Sequence, residues 1–308
     1  MSSTASPDIV TAPRADAYLT DALLVMMAII WGVNASVMKA ATNVMPALVF
    51  NAARLGLAAI ALVALALGVR GSALTRRDVV ALLALGVIGT GFYQFFMIEG
   101  LARTRAGTTA LILASGPAFV AIFGRVLGVE RITSRALAGI LLSMAGIALV
   151  ALTLPAELTR RASLIGNLLV LIGCVCWSLF TVLIKPYTNR LDGRLITAIT
   201  VVGGTIPLSL IAIPAIPEVA WESLSPATWG AIVYAGLASM VIAYLFWNRG
   251  VRLLGPTRTS MYGNLQPLFA LTAAWLLLGE RPIVWQLIGA VGIVGGVILT
   301  RTAEPIPE

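Results

Sequence analysis

The side chains in this sequence that can do chemistry are suited to holding a small molecule. Trp31, Asn34, Tyr93, Gln94, Trp177, Tyr244, Trp247 and Tyr262 are aromatics and amides set inside long apolar stretches. A pocket of apolar and aromatic groups with a few amides fits an amphipathic solute. Arg54 is the one charged residue well inside such a stretch, about eight residues from its end, or on the order of 12 Å deep at the helical rise. A charge at that depth is costly and points to function by default. It can meet the carboxylate of an amino acid, or serve as a structural partner for backbone carbonyls of a neighbouring helix. Pro117 and Pro267 fall halfway along two further stretches. Each removes a backbone donor and frees the carbonyl four residues earlier, on Leu113 and Gly263. Freed carbonyls are tolerated in lipid only against protein or a wet cavity. With Ser115, Asn264 and Gln266 beside them, the prolines read as paired kinks along a solute path. The plainer reading is a pair of packing kinks that bind nothing.

Bond-making chemistry has little to work with. Histidine is absent, which removes the usual zinc ligand and the side chain that titrates nearest neutrality. Cys174 and Cys176 stand at i and i+2 of one stretch and point to nearly opposite helix faces. None of the 13 acidic residues lies at mid-stretch, and no phosphate-binding G-x-x-x-x-G-K-[ST] loop occurs. The expectation is a protein that is not an enzyme, with no cofactor, no metal and no ATP drive. The missing mid-membrane acid points to facilitated or weakly coupled movement of a solute.

The elements that must position these residues follow from composition. Of 308 residues, 59% are hydrophobic and 11% charged, about half the charged share of a soluble domain. Runs of about 20 apolar residues predict helices over 21–42, 46–68, 79–99, 106–126, 134–153, 163–185, 195–214, 227–248, 258–278 and 283–300. Segment 215–226, with Trp221 and Glu222, reads as interfacial. The net charge of +8 comes from Lys and Arg in short loops, too dispersed for nucleic acid. With the N-terminus inside, the cytoplasmic segments hold 14 of the 21 basic residues and the outer ones six, which favours both termini in the cytoplasm. Trp221, Trp229, Trp275 and Trp285 then gather at the outer boundary.

The chain repeats itself. Trp31, Lys39, Thr42 and Asn43 match Trp177, Lys185, Thr188 and Asn189 at an offset of 146; further on the offset is 150, pairing Gly86 with Gly236, Pro117 with Pro267, and Glu130–Arg131 with Glu280–Arg281. The matches fall on Gly, Pro and charged residues, which composition alone does not explain. Each copy has five predicted helices, an odd number, so tandem copies sit upside down relative to one another. The predicted fold is therefore an all-α integral membrane protein of ten transmembrane helices in two inverted-topology repeats. Residues 1–20 form an N-terminal tail, 21–153 the first repeat, 163–300 the second and 301–308 a C-terminal tail. Inverted repeats place a solute site near the midplane, where the copies meet. Lys39 and Lys185 end their helices and can snorkel to the interface. Glu130–Arg131 and Glu280–Arg281 read as helix-end charge pairs. The stripes Gly139, Ser143, Gly146 and Gly289, Gly292, Gly296 read as scaffold contacts or a dimer face, leaving monomer and homodimer both open.

Trp31-Gly32, Arg54, the L-G-V-E-R segment at 127–131 and its twin L-G-E-R-P at 278–282 resemble the EamA-type ten-helix exporters of the drug/metabolite transporter superfamily. The resemblance covers residues 21–300. It implies an alternating-access transporter of a bacterial inner membrane, closest in pattern to exporters of amino acids, including aromatic ones. The alternative within the same class is multidrug efflux of cationic compounds. No basic residue in the seventh predicted helix answers Arg54, which departs from an exact duplication.

Overall fold

A backbone in lipid has no solvent to pair with, so it pairs with itself as helix. The computed structural model describes residues 14–70, 73–101, 103, 109, 112–152, 164–269, 272 and 283–303, and among them every regular element is helical. The first half runs through α1 (Arg14–Thr42), α2 (Ala47–Leu67) and α3 (Arg76–Gly86). A π-helical segment, Val87–Phe92, continues α3 into α4 (Tyr93–Leu101), and α5 (Gly116–Val126) and α6 (Ser134–Leu152) follow. The second half has α7 (Leu164–Leu183), the single turn α8 (Lys185–Thr188) and α9 (Gly193–Ala212). Then come α10 (Pro226–Val233), a π segment at Tyr234–Ile242, α11 (Ala243–Leu254), α12 (Pro256–Gly263) and α13 (Val284–Arg301). Among the described residues seven continuous helices are long and apolar enough to cross a bilayer, and Ile112–Val126 and Ser134–Val150 are shorter apolar helices. The Glu280–Arg281 pair and Trp275 lie outside the described residues, as does most of each tail.

Local chemistry sets the helix starts. Thr75 and Asp78 form a reciprocal capping box at α3, and Ser225 accepts from the Thr228 amide at α10. The segment expected to be interfacial folds as two 3-10 turns, Ile213–Glu218 and Trp221–Ser223, between prolines that forbid a longer helix. There Trp221 and Trp229 pair at 6.2 Å, both exposed.

Packing follows the repeat. The π segments coincide at the 150-residue offset, since 87–92 maps to 237–242. Gly86 abuts the Thr200 carbonyl; its counterpart Gly236 would carry a Cβ only 2.9 Å from the Arg54 carbonyl oxygen, and Thr200 is the 146-offset counterpart of Arg54. The glycine stripes do the same. A Cβ on Gly139 would stand 2.7 Å from the Gly296 carbonyl, and one on Gly289 would stand 2.6 Å from that of Gly146. The stripes are thus spent on each other, seating α6 against α13.

One end of the bundle gathers the start of α1 and the end of α13. Arg301 pairs with Asp21 at 2.9 Å, Arg249 with Asp16 at 3.3 Å, and Arg190 with Asp78. The start of α3 and the α8–α9 connection lie at this same end, called here the terminal end. Large apolar side chains such as Ile60, Leu67, Leu152 and Val291 point outward, each at least 72% exposed, as a surface solvated by lipid requires.

Candidate functional site

Four helices bring their aromatic residues to one place. Trp31 of α1, Tyr93 of α4, Trp177 of α7, and Tyr244 and Trp247 of α11 pack ring on ring. Centroids stand 5.9 Å apart for Trp31–Trp177, 5.1 Å for Tyr93–Trp177 and 5.5 Å for Trp31–Trp247. Trp31 and Trp177, repeat counterparts, sit together at the centre. The Trp31 indole Nε1 donates to the Ser239 carbonyl at 3.0 Å. A widened π turn exposes carbonyls that an α-helix keeps to itself, and Ser239 lies within the second π segment.

Arg54 lies beside this group, 1% exposed. Its Nε donates to Asn51 Oδ1 at 2.6 Å and its Nη2 to Gln94 Oε1 at 2.8 Å. The partners are neutral side chains, so the expectation of backbone carbonyls is not met. Among the described residues no carboxylate lies in ion-pair range of Arg54. The guanidinium keeps its full charge in a place where burial is expensive unless an anion arrives.

Unsatisfied polar atoms concentrate at the same spot. Asn34 Oδ1, Asn51 Nδ2 and Trp247 Nε1 are buried with no hydrogen-bond partner among the described residues, and the Tyr244 hydroxyl has only Gln94 and Thr90 beside it, with no well-formed bond to either. Such atoms each cost about 1–3 kcal/mol, and their clustering marks a place shaped for a polar guest. Gln94 Nε2 points at the Met240 sulfur, 3.9 Å away.

Four other expected residues lie elsewhere. The Tyr262 hydroxyl donates to Asp21 at 2.7 Å, at the terminal end. Asn264 Nδ2 donates to Ser143 of α6 at 3.0 Å, and Ser115 Oγ to the Ile112 carbonyl at 2.5 Å. Gln266, partly buried, follows the Asn264–Leu265 turn near Gly263. Pro117 and Pro267 do not kink continuous helices. Turns at Ser115 and at Asn264–Leu265 interrupt them, and each proline stands second in the next helical segment, where its missing N–H would have no intrahelical partner anyway. Ser115, Tyr262, Asn264 and Gln266 thus belong to the broken helices around the site and not to its wall. The sequence reading missed Asn51, Thr90, Ser239 and Met240. Asn51 was findable as the helical neighbour three residues before Arg54, and Met240 as the 150-offset partner of Thr90.

The aromatic rings touch, so a solute reaches Arg54 only when they part. A cavity of about 210 Å³ opens instead at the terminal end, lined by Asp16, Asn248, Arg249 and Arg252 among others. Lys185, expected to snorkel, donates to the Arg252 carbonyl at 2.7 Å below it; the Lys39 side chain lies outside the described residues. We expect Trp177→Ala and Gln94→Ala each to reduce transport about tenfold or more, while Trp285→Ala, on the lipid face, changes it little. Initial rates of uptake into proteoliposomes at matched protein content test this, and equal effects of the three would remove the site from the aromatic group.

Comparison with known proteins gives a consistent answer. The profile described as "EamA-like transporter family" matches residues 19–152 and again 164–302. The chain is 30% identical over 260 residues to "Uncharacterized transporter YyaM" of Bacillus subtilis, covering 83% of this chain and 84% of that one. It is 29% identical to "Probable terminal-alkyne amino-acid exporter" of Streptantibioticus cattleyicolor, covering 80% and 82%. A solved crystal structure superposes with a TM-score of 0.70 at 21% identity, over 90% of this chain and 94% of the other, a likeness of fold.

Proposed function

The chain belongs to the EamA-like transporter family, and from that premise we propose that it exports small carboxylate-bearing metabolites, amino acids including aromatic ones, across a bacterial inner membrane. The observation that carries the reading is Arg54, a buried cation with neutral partners beside five packed aromatic rings. A carboxylate completes the guanidinium's charge, and an apolar or aromatic side chain takes the place the rings vacate.

The proposed architecture is ten spans in two five-span repeats of opposite orientation, with both termini cytoplasmic. It is supported by the coincident π segments, the reciprocal glycine contacts and the convergence of the start of α1 and the end of α13 at one end. Alternating access follows from such symmetry, since exchanging the conformations of the two halves exchanges the open face. Coupling is proposed to be absent or weak, because the membrane interior offers no acid to carry a proton with the solute.

Counterflow in proteoliposomes tests the reading, with a panel of radiolabelled aromatic and aliphatic amino acids, nucleosides and quaternary amines. Amino acids are expected to exchange. Exchange of quaternary amines alone would make the protein an efflux carrier for cations, with the rings as a cation–π cage.

A further inference from the structure

One face of α11 builds the cavity at the terminal end. Leu245, Asn248, Arg249 and Arg252 recur at helical spacing and line it, across from Asp16 of α1 and Gly193 of α9. Asn248 is fixed in this wall, its Nδ2 donating to Thr197 Oγ1 at 2.8 Å. At about 210 Å³ the space is smaller than the about 300–1,000 Å³ of sites for drug-sized ligands, which suits a solute the size of an amino acid. Its charges are unequally engaged. Arg249 donates to Thr20 Oγ1 at 3.1 Å and reaches Asp16 Oδ1 at 3.3 Å. Arg252 stands one turn on, about 4.5 Å further along the helix axis. Among the described residues no carboxylate lies in ion-pair range of it. Lys185 ties down the Arg252 carbonyl and leaves the side chain exposed. The other acids at this end are already taken: Asp21 accepts from Arg301 and Tyr262, Asp78 from Arg190, and Asp192 from Arg194. Glu130, expected to pair with Arg131, instead accepts the Thr257 amide at 3.0 Å and hydroxyl at 2.6 Å. It caps the start of α12, where Gly255 has no side chain to do so.

We propose that this cavity is an entry subsite for a zwitterionic amino acid, with Arg252 taking the carboxylate and Asp16 the ammonium. The inference rests on the transporter reading for its purpose and on the cavity's own charges for its selectivity. The Asp16 side chain is 51% exposed. Its 3.3 Å contact with Arg249 is longer than a tight charge-assisted bond, so the carboxylate keeps acceptor capacity for a second donor. Two arginines against one aspartate leave the lining net positive. A solute with only a positive charge is therefore repelled, and one with only a negative charge leaves Asp16 unanswered. A solute carrying both charges meets a partner for each. Leu245 and Leu253 offer its side chain an apolar wall. Trp247 immediately precedes Asn248 on α11, so a solute held here waits beside the rings that must part before it reaches Arg54.

Protection of Gly193→Cys from labelling tests the proposal. A Cβ at Gly193 meets nothing within 4 Å, so the substitution is accommodated, in a background of Cys174→Ser and Cys176→Ser. The protein sits in phosphatidylcholine vesicles that present the terminal end to a membrane-impermeant maleimide. Phenylalanine at saturation is expected to slow labelling severalfold. Phenethylamine and 3-phenylpropionate, each lacking one of the two charges, are expected to need concentrations about fivefold or more higher for the same effect. Arg252→Gln and Asp16→Asn each raise the half-protecting concentration of phenylalanine by a similar factor, and Arg252→Lys restores part of the loss. Arg54→Gln, which disables the central site, keeps the protection. Protection that vanishes with Arg54→Gln, that is equal for all three compounds, or that survives Arg252→Gln undiminished overturns the proposal. So does slow labelling without any solute once phosphatidylethanolamine replaces phosphatidylcholine, which would give the cavity to a lipid headgroup. Counterflow of amino acids without protection at Gly193→Cys sinks this subsite alone. Protection without counterflow sinks the transport reading alone.

Discussion

Arg54→Gln is expected to cut transport of carboxylate-bearing solutes by about 100-fold, equivalent to about 3 kcal/mol of lost charge-pair binding, while leaving thermal stability unchanged or raised. Both halves of the expectation follow from the same geometry. The guanidinium is buried, hydrogen-bonded to the Asn51 and Gln94 oxygens, and free of any carboxylate among the described residues. Removing one member of a buried ion pair destabilises by stranding the other; here no opposite charge is left behind. A glutamine amide can still donate to Asn51 or Gln94. A structural arginine predicts the reverse, a lowered melting temperature with transport reduced only in proportion to folded protein. Scanning calorimetry or a thiol-dye melt, run beside counterflow of a neutral and an anionic solute, separates the two.

Gly86→Ala is expected to destabilise the protein by about 2–3 kcal/mol or more, the upper range for forcing a methyl into a packed interior. The added Cβ meets the carbonyl of Thr200, which is backbone inside α9 and cannot rotate away. At the repeat counterpart Gly236, the nearest atom is the Arg54 carbonyl at 2.9 Å, with Leu57 side-chain atoms beyond it. There a shift of a few tenths of an ångström suffices, so Gly236→Ala should cost less. Folded yield and melting temperature of the two variants rank them. A reversed order would mean the two halves are packed less alike than their contacts indicate.

The sequence made the coarse plan legible because lipid imposes a one-dimensional code: length and apolarity locate helices, and an offset of 146–150 locates the second copy. It also marked Trp31, Tyr93, Gln94, Trp177, Tyr244 and Trp247, since polar-edged aromatics stand out in an Ala/Leu background. The rest was out of reach for identifiable reasons. A π turn inserts one residue without altering composition, so Val87–Phe92 reads as ordinary helix and the direction of every later side chain is misjudged. Tyr262 was drawn away by Asp21, 241 positions distant, and Asn264 by Ser143, 121 positions distant. Glu130 looked like half of a local charge pair because nothing in a linear reading reveals an uncapped helix start in the other copy.

The crowding of Trp31, Trp177 and Trp247, with centroids between 5.1 and 5.9 Å, gives the molecule an optical signature of its own. Indoles that close couple through their strong far-ultraviolet transition, so the far-ultraviolet circular dichroism is expected to carry a paired positive and negative band, and emission from the three to be partly self-quenched. A guest sliding between the rings breaks that electronic coupling. Its arrival is then visible as a collapsing couplet and a brightening of fluorescence, with no dye attached.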